Sequence, residues 1–149
     1  MINDEMGKYM EKVIKKYNMN CVKLNKLSSI LYNDYCYLII NIDRFGVDFI
    51  YVFEEEGEIL GYECSNYLCM RFDDVDRQNL LQETKAGDAV KNELIVIANG
   101  WVNKCEDVLT GEKDWIQKYE KSPFYSKTKL PIDVERIIKI ILSSRNNKK

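Results

Sequence analysis

Apolar residues recur at three- and four-residue steps near both ends of the chain and crowd into short runs at its centre. Over residues 4–18, Met6, Tyr9, Met10, Val13, Ile14 and Tyr17 form one stripe, with Lys8, Lys12, Lys15 and Lys16 largely on the other side, which predicts a surface helix. Asn3 is placed to cap its start, and Asp4 and Glu5 complement its positive end. Asn18-Met19-Asn20 breaks the pattern. The runs Tyr35–Ile42 and Val47–Phe53, rich in aromatic and β-branched residues, read as strands joined through Asp43-Arg44-Phe45-Gly46. A second tight turn at Glu55-Glu56-Gly57-Glu58 leads into a strand over Glu58–Cys64. Tyr67–Phe72 reads as a further strand, and Cys21–Leu24 as one at an edge.

The second half turns helical. Val90, Leu94, Ile97, Ala98, Trp101, Cys105 and Val108 recur at helical spacing, between Asp88 as N-cap and Gly111 as C-cap. Trp115, Ile116 and Tyr119 predict a short helix, and Ser122–Leu130 reads as a loop. Pro131-Ile132-Asp133 opens a last helix with Val134, Ile137, Ile138 and Ile141 as its buried stripe, Ile132 stapling to Ile137 across the Asp133 cap. Short links between consecutive strands force antiparallel pairing. The expectation is one α+β domain over residues 1–149: an antiparallel meander of about four strands packed against N-terminal and C-terminal helices. Both faces of the two central strands are apolar. One packs on helices; the other is either covered as well or offered to a partner.

Composition removes several functions. The 149 residues contain no histidine, so no Ser-His-Asp or Cys-His catalytic set, His-ligated zinc or haem, or histidine pH switch can be built. The five cysteines are scattered singly with no C-x-x-C pair, which fits buried thiols in a reducing compartment. The N-terminus is acidic rather than signal-like, and the run Tyr35–Ile42 is too short to span a bilayer, so a cytoplasmic protein is expected.

Charge adds more. The net value of -2 conceals +3 over residues 1–30, -9 over residues 31–76 and +4 over residues 77–149. From the acidic segment, Asp48, Glu54, Glu55, Glu56, Glu58, Glu63, Asp73, Asp74 and Asp76 are the candidate partner-binding residues, because a negative field steers a basic partner. Read without a partner, the same acids are a solubilising surface that guards sheet edges. Catalytic and metal constellations are weaker. Asp73-Asp74-Val75-Asp76 opens like a calcium loop but lacks the sixth-position Gly, and Thr84 stands where the closing Glu belongs. Glu83 and Lys85, with Asp74 or Asp76, have the residue types of a metal-dependent nuclease site, which needs the Glu and Lys on a strand. Gly61, Gly87, Gly100 and Gly111 stand alone, so no phosphate loop forms. Tyr35, Tyr37, Tyr51, Tyr62 and Tyr67 lie in the acidic segment, where phosphates are repelled, and read as sheet residues rather than a base-stacking platform. Lys127, Lys129, Arg145, Lys148 and Lys149 make a modest basic edge, the last three read as a solvated tail.

A chain with no catalytic set, a reduced-cysteine core, an acidic meander and several helices resembles the stand-alone immunity proteins that bacteria keep against polymorphic or contact-dependent toxins. The resemblance covers the whole chain in size and organisation rather than in any motif. It implies a non-catalytic protein that binds one cognate toxin domain, often a basic nuclease, and blocks its active site or substrate groove. The acidic segment is the part of the sequence such a role would use; from the motifs and charge weighed above, no cofactor, no metal and no contact with membrane or nucleic acid are expected. Two alternatives stand beside it: a metal-dependent hydrolase using carboxylates and Lys85, and a structural subunit that forms a homodimer or larger oligomer through an uncovered sheet face.

Overall fold

A computed structural model describes residues 5–146. The expected cap at Asn3, the Asp4 contribution, and Lys148 and Lys149 lie outside the described residues. The chain forms α1 (Met6–Tyr9), α2 (Glu11–Tyr17), β1 (Asn20–Asn25), β2 (Ser28–Tyr32), β3 (Tyr37–Asp43), β4 (Gly46–Glu55), β5 (Glu58–Tyr62), α3 (Ser65–Cys69), α4 (Asp88–Lys104), α5 (Glu106–Leu109), α6 (Asp114–Glu120), β6 (Lys127–Thr128) and α7 (Ile132–Asn146). It is an α+β fold. All strand pairs are antiparallel, in the spatial order β1-β2-β3-β4-β5-β6. The sheet therefore has six strands rather than about four.

Alternation along β3 and β4 sends side chains to two separate cores. Leu38, Ile40 and Ile42 with Phe49, Tyr51 and Phe53 face the helices α1, α2, α4, α5 and α6. Tyr37, Ile39 and Val52, with Ile30 of β2, face α7 through Val134 and Ile138. The second apolar face is thus covered, and the open sheet surface that a homo-oligomer reading requires is occupied by α7. On the larger side the Trp101 ring meets Phe49 at 4.9 Å, edge to face, and Trp115 meets Tyr51 at 5.0 Å. Arg145 pins the far end of α7: its guanidinium donates to the Asn33 carbonyl at 2.5 Å and the Tyr37 hydroxyl at 3.4 Å. Arg145 is therefore an anchor, not part of a solvated tail.

Several expectations are corrected. Tyr67–Phe72 is not a strand. Cys64, Leu68 and Phe72, four residues apart, are all buried, so the segment turns as helix α3 and a following loop. β2 lacks the alternation of a one-sided strand, because Ser29, Ile30 and Leu31 are all buried between the two layers. β6, inside the expected loop, is two residues long and closes the free edge of β5. The long second-half helix breaks at Cys105. Arg71 Nη1 takes the Lys104 carbonyl at 3.0 Å, and its guanidinium forks onto Asp107 at 2.7 and 3.1 Å, an insertion that interrupts the helical ladder. Asp88 does not cap α4; Gly87 holds that position, and the Asp88 carboxylate turns back to accept from the Thr84 and Lys85 amides at 3.0 and 2.8 Å. Ile132 is 74% exposed and shares the outer face of α7 with Ile140 instead of stapling to Ile137. Cys21 is exposed, whereas Cys36, Cys64 and Cys105 are buried, and burial pushes each of those three thiols up to about 12.

Residues 70–87 cross the helical layer with neither a helix nor a strand. Buried polar groups hold them down. Asp76, 0% exposed, accepts from the Asp73 amide, Asn103 Nδ2 and Lys104 Nζ at 2.9, 2.9 and 3.0 Å. Asn99 donates to the Asp76 carbonyl at 2.9 Å, and Asn92 holds both the amide and the carbonyl of Leu81, at 2.7 and 2.9 Å. Among the described residues, four of the six buried polar ones, Asp76, Asp88, Asn92 and Asn99, serve this one segment. Burial works against ionisation of Asp76 and Asp107, but the bonds from Asn103, the Asp73 amide and Lys104, and from Arg71, outweigh it; both carboxyls lie below their ordinary range. The Asp88 carboxyl is lowered too, by the Lys85 and Thr84 amides.

Two outcomes follow from these contacts. Ala normally improves a helix interior over Gly, but a Cβ at Gly100 would lie 2.2 Å from the Phe72 ring. Gly100→Ala is expected to cost roughly 1–3 kcal/mol in urea unfolding. Groups with depressed values contribute stability above about pH 4, and that contribution is lost as pH falls through those values. Proteolysis between residues 70 and 87 should therefore accelerate on acidification below about pH 4, and Asp76→Ala should open the same segment at pH 7, at a cost of roughly 2–4 kcal/mol.

Candidate functional site

The nine candidate acids do not fall on one surface; antiparallel folding distributes them over three. Glu54, Glu55, Glu56 and Glu58 form the β4–β5 hairpin tip. Asp48 and Glu63 lie toward the other end of the sheet, with Asp48 six residues from Glu54 along β4, or about 20 Å at strand rise. Asp73, Asp74 and Asp76 belong to the 70–87 segment against α4.

Of the last group only Asp76 is spent inside the molecule; Asp73 and Asp74 are exposed. Lys104 Nζ lies 3.1 Å from Asp73 and 3.0 Å from Asp76, and Asp76 is fully buried, so it offers no outward charge. Glu83 and Lys85 lie in the same segment, so the strand that a carboxylate–lysine nuclease arrangement needs does not form there. Among the described residues, no three His, Cys, Asp or Glu side chains are grouped to hold a metal ion. Tyr37, Tyr51 and Tyr62 are buried core residues; Tyr35, 57% exposed, leans over Gly111.

The hairpin tip differs. Its turn takes Glu56 at φ 53° and Gly57 at φ 81°, the geometry that matches the twist of the flanking strands and favours Asn-Gly. A glutamate here occupies a left-handed backbone without the short side chain that stabilises it. Glu55 also pairs directly with Glu58 across the ladder, placing like charges opposite one another. Glu54 Oε1 accepts the Gly57 amide at 2.8 Å, which sets the turn. Behind the tip, Lys113 Nζ stands 3.9 Å above the Phe53 ring, and desolvation there lowers its pKa, although Cys36 and Glu55 pull the other way.

At the other end, Asn41 of β3 pairs with Asp48 of β4, and the Asn41 side chain also accepts the Ser28 hydroxyl at 2.7 Å. Asp48 and Glu63 line a cavity of about 410 Å³ with Asn41, Ile50, Asn66 and Phe124. Its wall is fixed from inside. The buried Tyr119 oxygen accepts the Ser126 amide at 2.8 Å and lies 3.1 and 3.2 Å from the Glu63 and Ser126 carbonyls. Desolvation, then Asp43 and Glu63, raise the Asp48 carboxyl, against the lowering bond from Asn41. Sequence reasoning did not find Asn41, Asn66 and Phe124, because only strand pairing and the 122–126 turn bring them together.

No protein-family model matches this chain, and neither a curated protein nor a solved structure matches it. Glu56→Asn is expected to raise stability by roughly 0.5–1 kcal/mol by relieving the left-handed glutamate and thinning the charge; a urea midpoint at or below that of the parent protein would contradict this account of the turn.

Proposed function

We propose that this protein is a non-catalytic binding module that docks on a basic protein domain through the β4–β5 hairpin, and that it neutralises that domain as a toxin-immunity protein does. The observation that carries the reading is the hairpin tip. Glu54, Glu55, Glu56 and Glu58 cluster on one turn, with Glu56 in a left-handed conformation and Glu55 facing Glu58. Each choice costs local stability, and places where a sequence breaks local rules are where function is expected. A negative tip projecting beyond the sheet raises the encounter rate with a positive surface and sets its orientation. Asp34, 88% exposed at its side chain and 4.0 Å from Arg145, adds charge at the same end of the sheet. Asp76 and Asp73, bound by Lys104, play no part in this docking surface.

Replacing Glu54, Glu55, Glu56 and Glu58 together by Lys should slow association with the cognate domain by roughly tenfold or more and flatten its salt dependence, with a smaller change in dissociation. The partner is sought as the toxic C-terminal domain of a large protein encoded by a neighbouring gene. Co-expression should rescue cells from that domain, and the four-Lys variant should rescue them poorly. An unchanged association rate and full rescue by the variant would exclude the hairpin as the docking surface.

A further inference from the structure

The cavity at the opposite end of the sheet carries a charge imbalance that the hairpin does not explain. Two of its lining residues, Asp48 and Glu63, are carboxylates, and no lysine or arginine is among the lining residues. On the helical layer the fold pairs acids with bases: Arg71 forks onto Asp107, and Lys104 takes Asp73 and Asp76. Here the nearest compensation is neutral, from Asn41 beside Asp48 and from Ser126 Oγ, 3.4 Å from Glu63. The wall is preformed, because the Tyr119 hydroxyl and the Glu63–Ser126 backbone bond at 2.9 Å hold one side in place and the β3–β4 pairing of Asn41 with Asp48 holds the other. Ile50 and Phe124 supply an aliphatic and an aromatic surface next to the carboxylates. The volume of about 410 Å³ falls within the range of small-ligand pockets and accommodates one long side chain or a short amine.

Those features select a ligand class. Anions are repelled by both carboxylates. A hard divalent cation would use the carboxylates together with waters and would gain nothing from the apolar wall. A planar or tetrahedral nitrogen cation on a carbon stem satisfies everything present: charge-assisted hydrogen bonds to the carboxylates, and the stem and cation face against Phe124 and Ile50. We propose that this cavity binds an organic cation, an alkyl-guanidinium or alkyl-ammonium group, between Asp48 and Glu63. Its source is either a side chain of a protein partner or a free amine. The site is separate from the hairpin tip and does not depend on the docking proposed there.

The full chain, labelled with ¹⁵N, is titrated with agmatine, putrescine and N-acetyl-arginine amide, with N-acetyl-citrulline amide as the uncharged isostere. Saturable shifts should be confined to amides around Asn41, Asp48, Ile50, Glu63, Asn66 and Ser126, and should be absent with the citrulline compound. Asp48→Asn and Glu63→Gln should each weaken the binding by roughly tenfold. Changing Glu54, Glu55, Glu56 and Glu58 to Gln should leave it unchanged, which separates failure at this site from failure at the hairpin. Tighter saturation by the arginine amide assigns the site to a partner side chain; tighter saturation by agmatine or putrescine assigns it to a free amine. Shifts spread equally over the hairpin carboxylates, an equal response to citrulline, absence of saturation, or unweakened binding by both variants would overturn the proposal. Asp48→Asn removes a carboxyl that is already costly to ionise, so its spectrum away from the cavity should overlay that of the parent; should it fail to fold, Glu63→Gln alone carries the comparison.

Discussion

Strands β3 and β4 are apolar on both faces, and the rest of the chain is arranged by the need to remove both from water. A two-sided apolar sheet cannot stand as the solvated half of an antiparallel layer. One face takes Met6, Met10 and Val13 from the first two helices and Leu94, Ile97 and Trp101 from α4. The other takes the last helix through Val134 and Ile138. The first two helices therefore lie on one side of the sheet and the last on the other, and Arg145 fastens the last helix to the β2–β3 turn through Asn33. The buried Asn33 amide binds that turn to the Tyr17 and Leu109 carbonyls, at 3.2 and 2.9 Å, so one polar side chain ties together three elements of the larger layer.

Covering both faces also decides where charge can be presented. With helices above and below, an exposed carboxylate on the central strands has only their ends: the hairpin beyond β4 and β5 at one end, and Asp43, Asp48 and Glu63 toward the other. The two ends then diverge in character. The hairpin projects into solvent, where four glutamates make a broad field suited to steering a macromolecule. At the opposite end, beside the 122–126 turn, the exposed Asp48 and Glu63 carboxylates have amide and apolar neighbours, which suits recognition of a single group. In the third acidic cluster Asp73 and the buried Asp76 meet Lys104 and hold the 70–87 segment on α4, while Asp74 stays exposed.

Much of this was legible. The stripe from Met6 to Tyr17, the runs forming β3 and β4, the glycine turns after Asp43 and Glu55, and the stripes of α4 and α7 each follow from a single local periodicity. Cys64, Leu68 and Phe72 carried a helical spacing that the aromatic and thiol content of the run disguised as a strand. Ser28–Tyr32 gave no alternation because a central strand buried on both sides has none to give. The break at Cys105 could not be read from its neighbours, since Arg71, far away in the chain, causes it.

The candidate site divides along the same line. Sequence by itself determined the supply of groups: no histidine, thiols placed mostly among apolar residues, a segment of -9 charge, and a hairpin tip that had to carry Glu54, Glu55, Glu56 and Glu58 because they flank its turn. Those properties depend on identity and on separations of a few residues. Tertiary structure alone decided which of the acids share a surface, which one is buried, and that Asp48 meets Asn41 and Glu63 in a cavity. Charge in a sequence adds along the chain, but a field and a cavity depend on distance in space, and antiparallel strands bring residues together or hold them about 20 Å apart irrespective of their order.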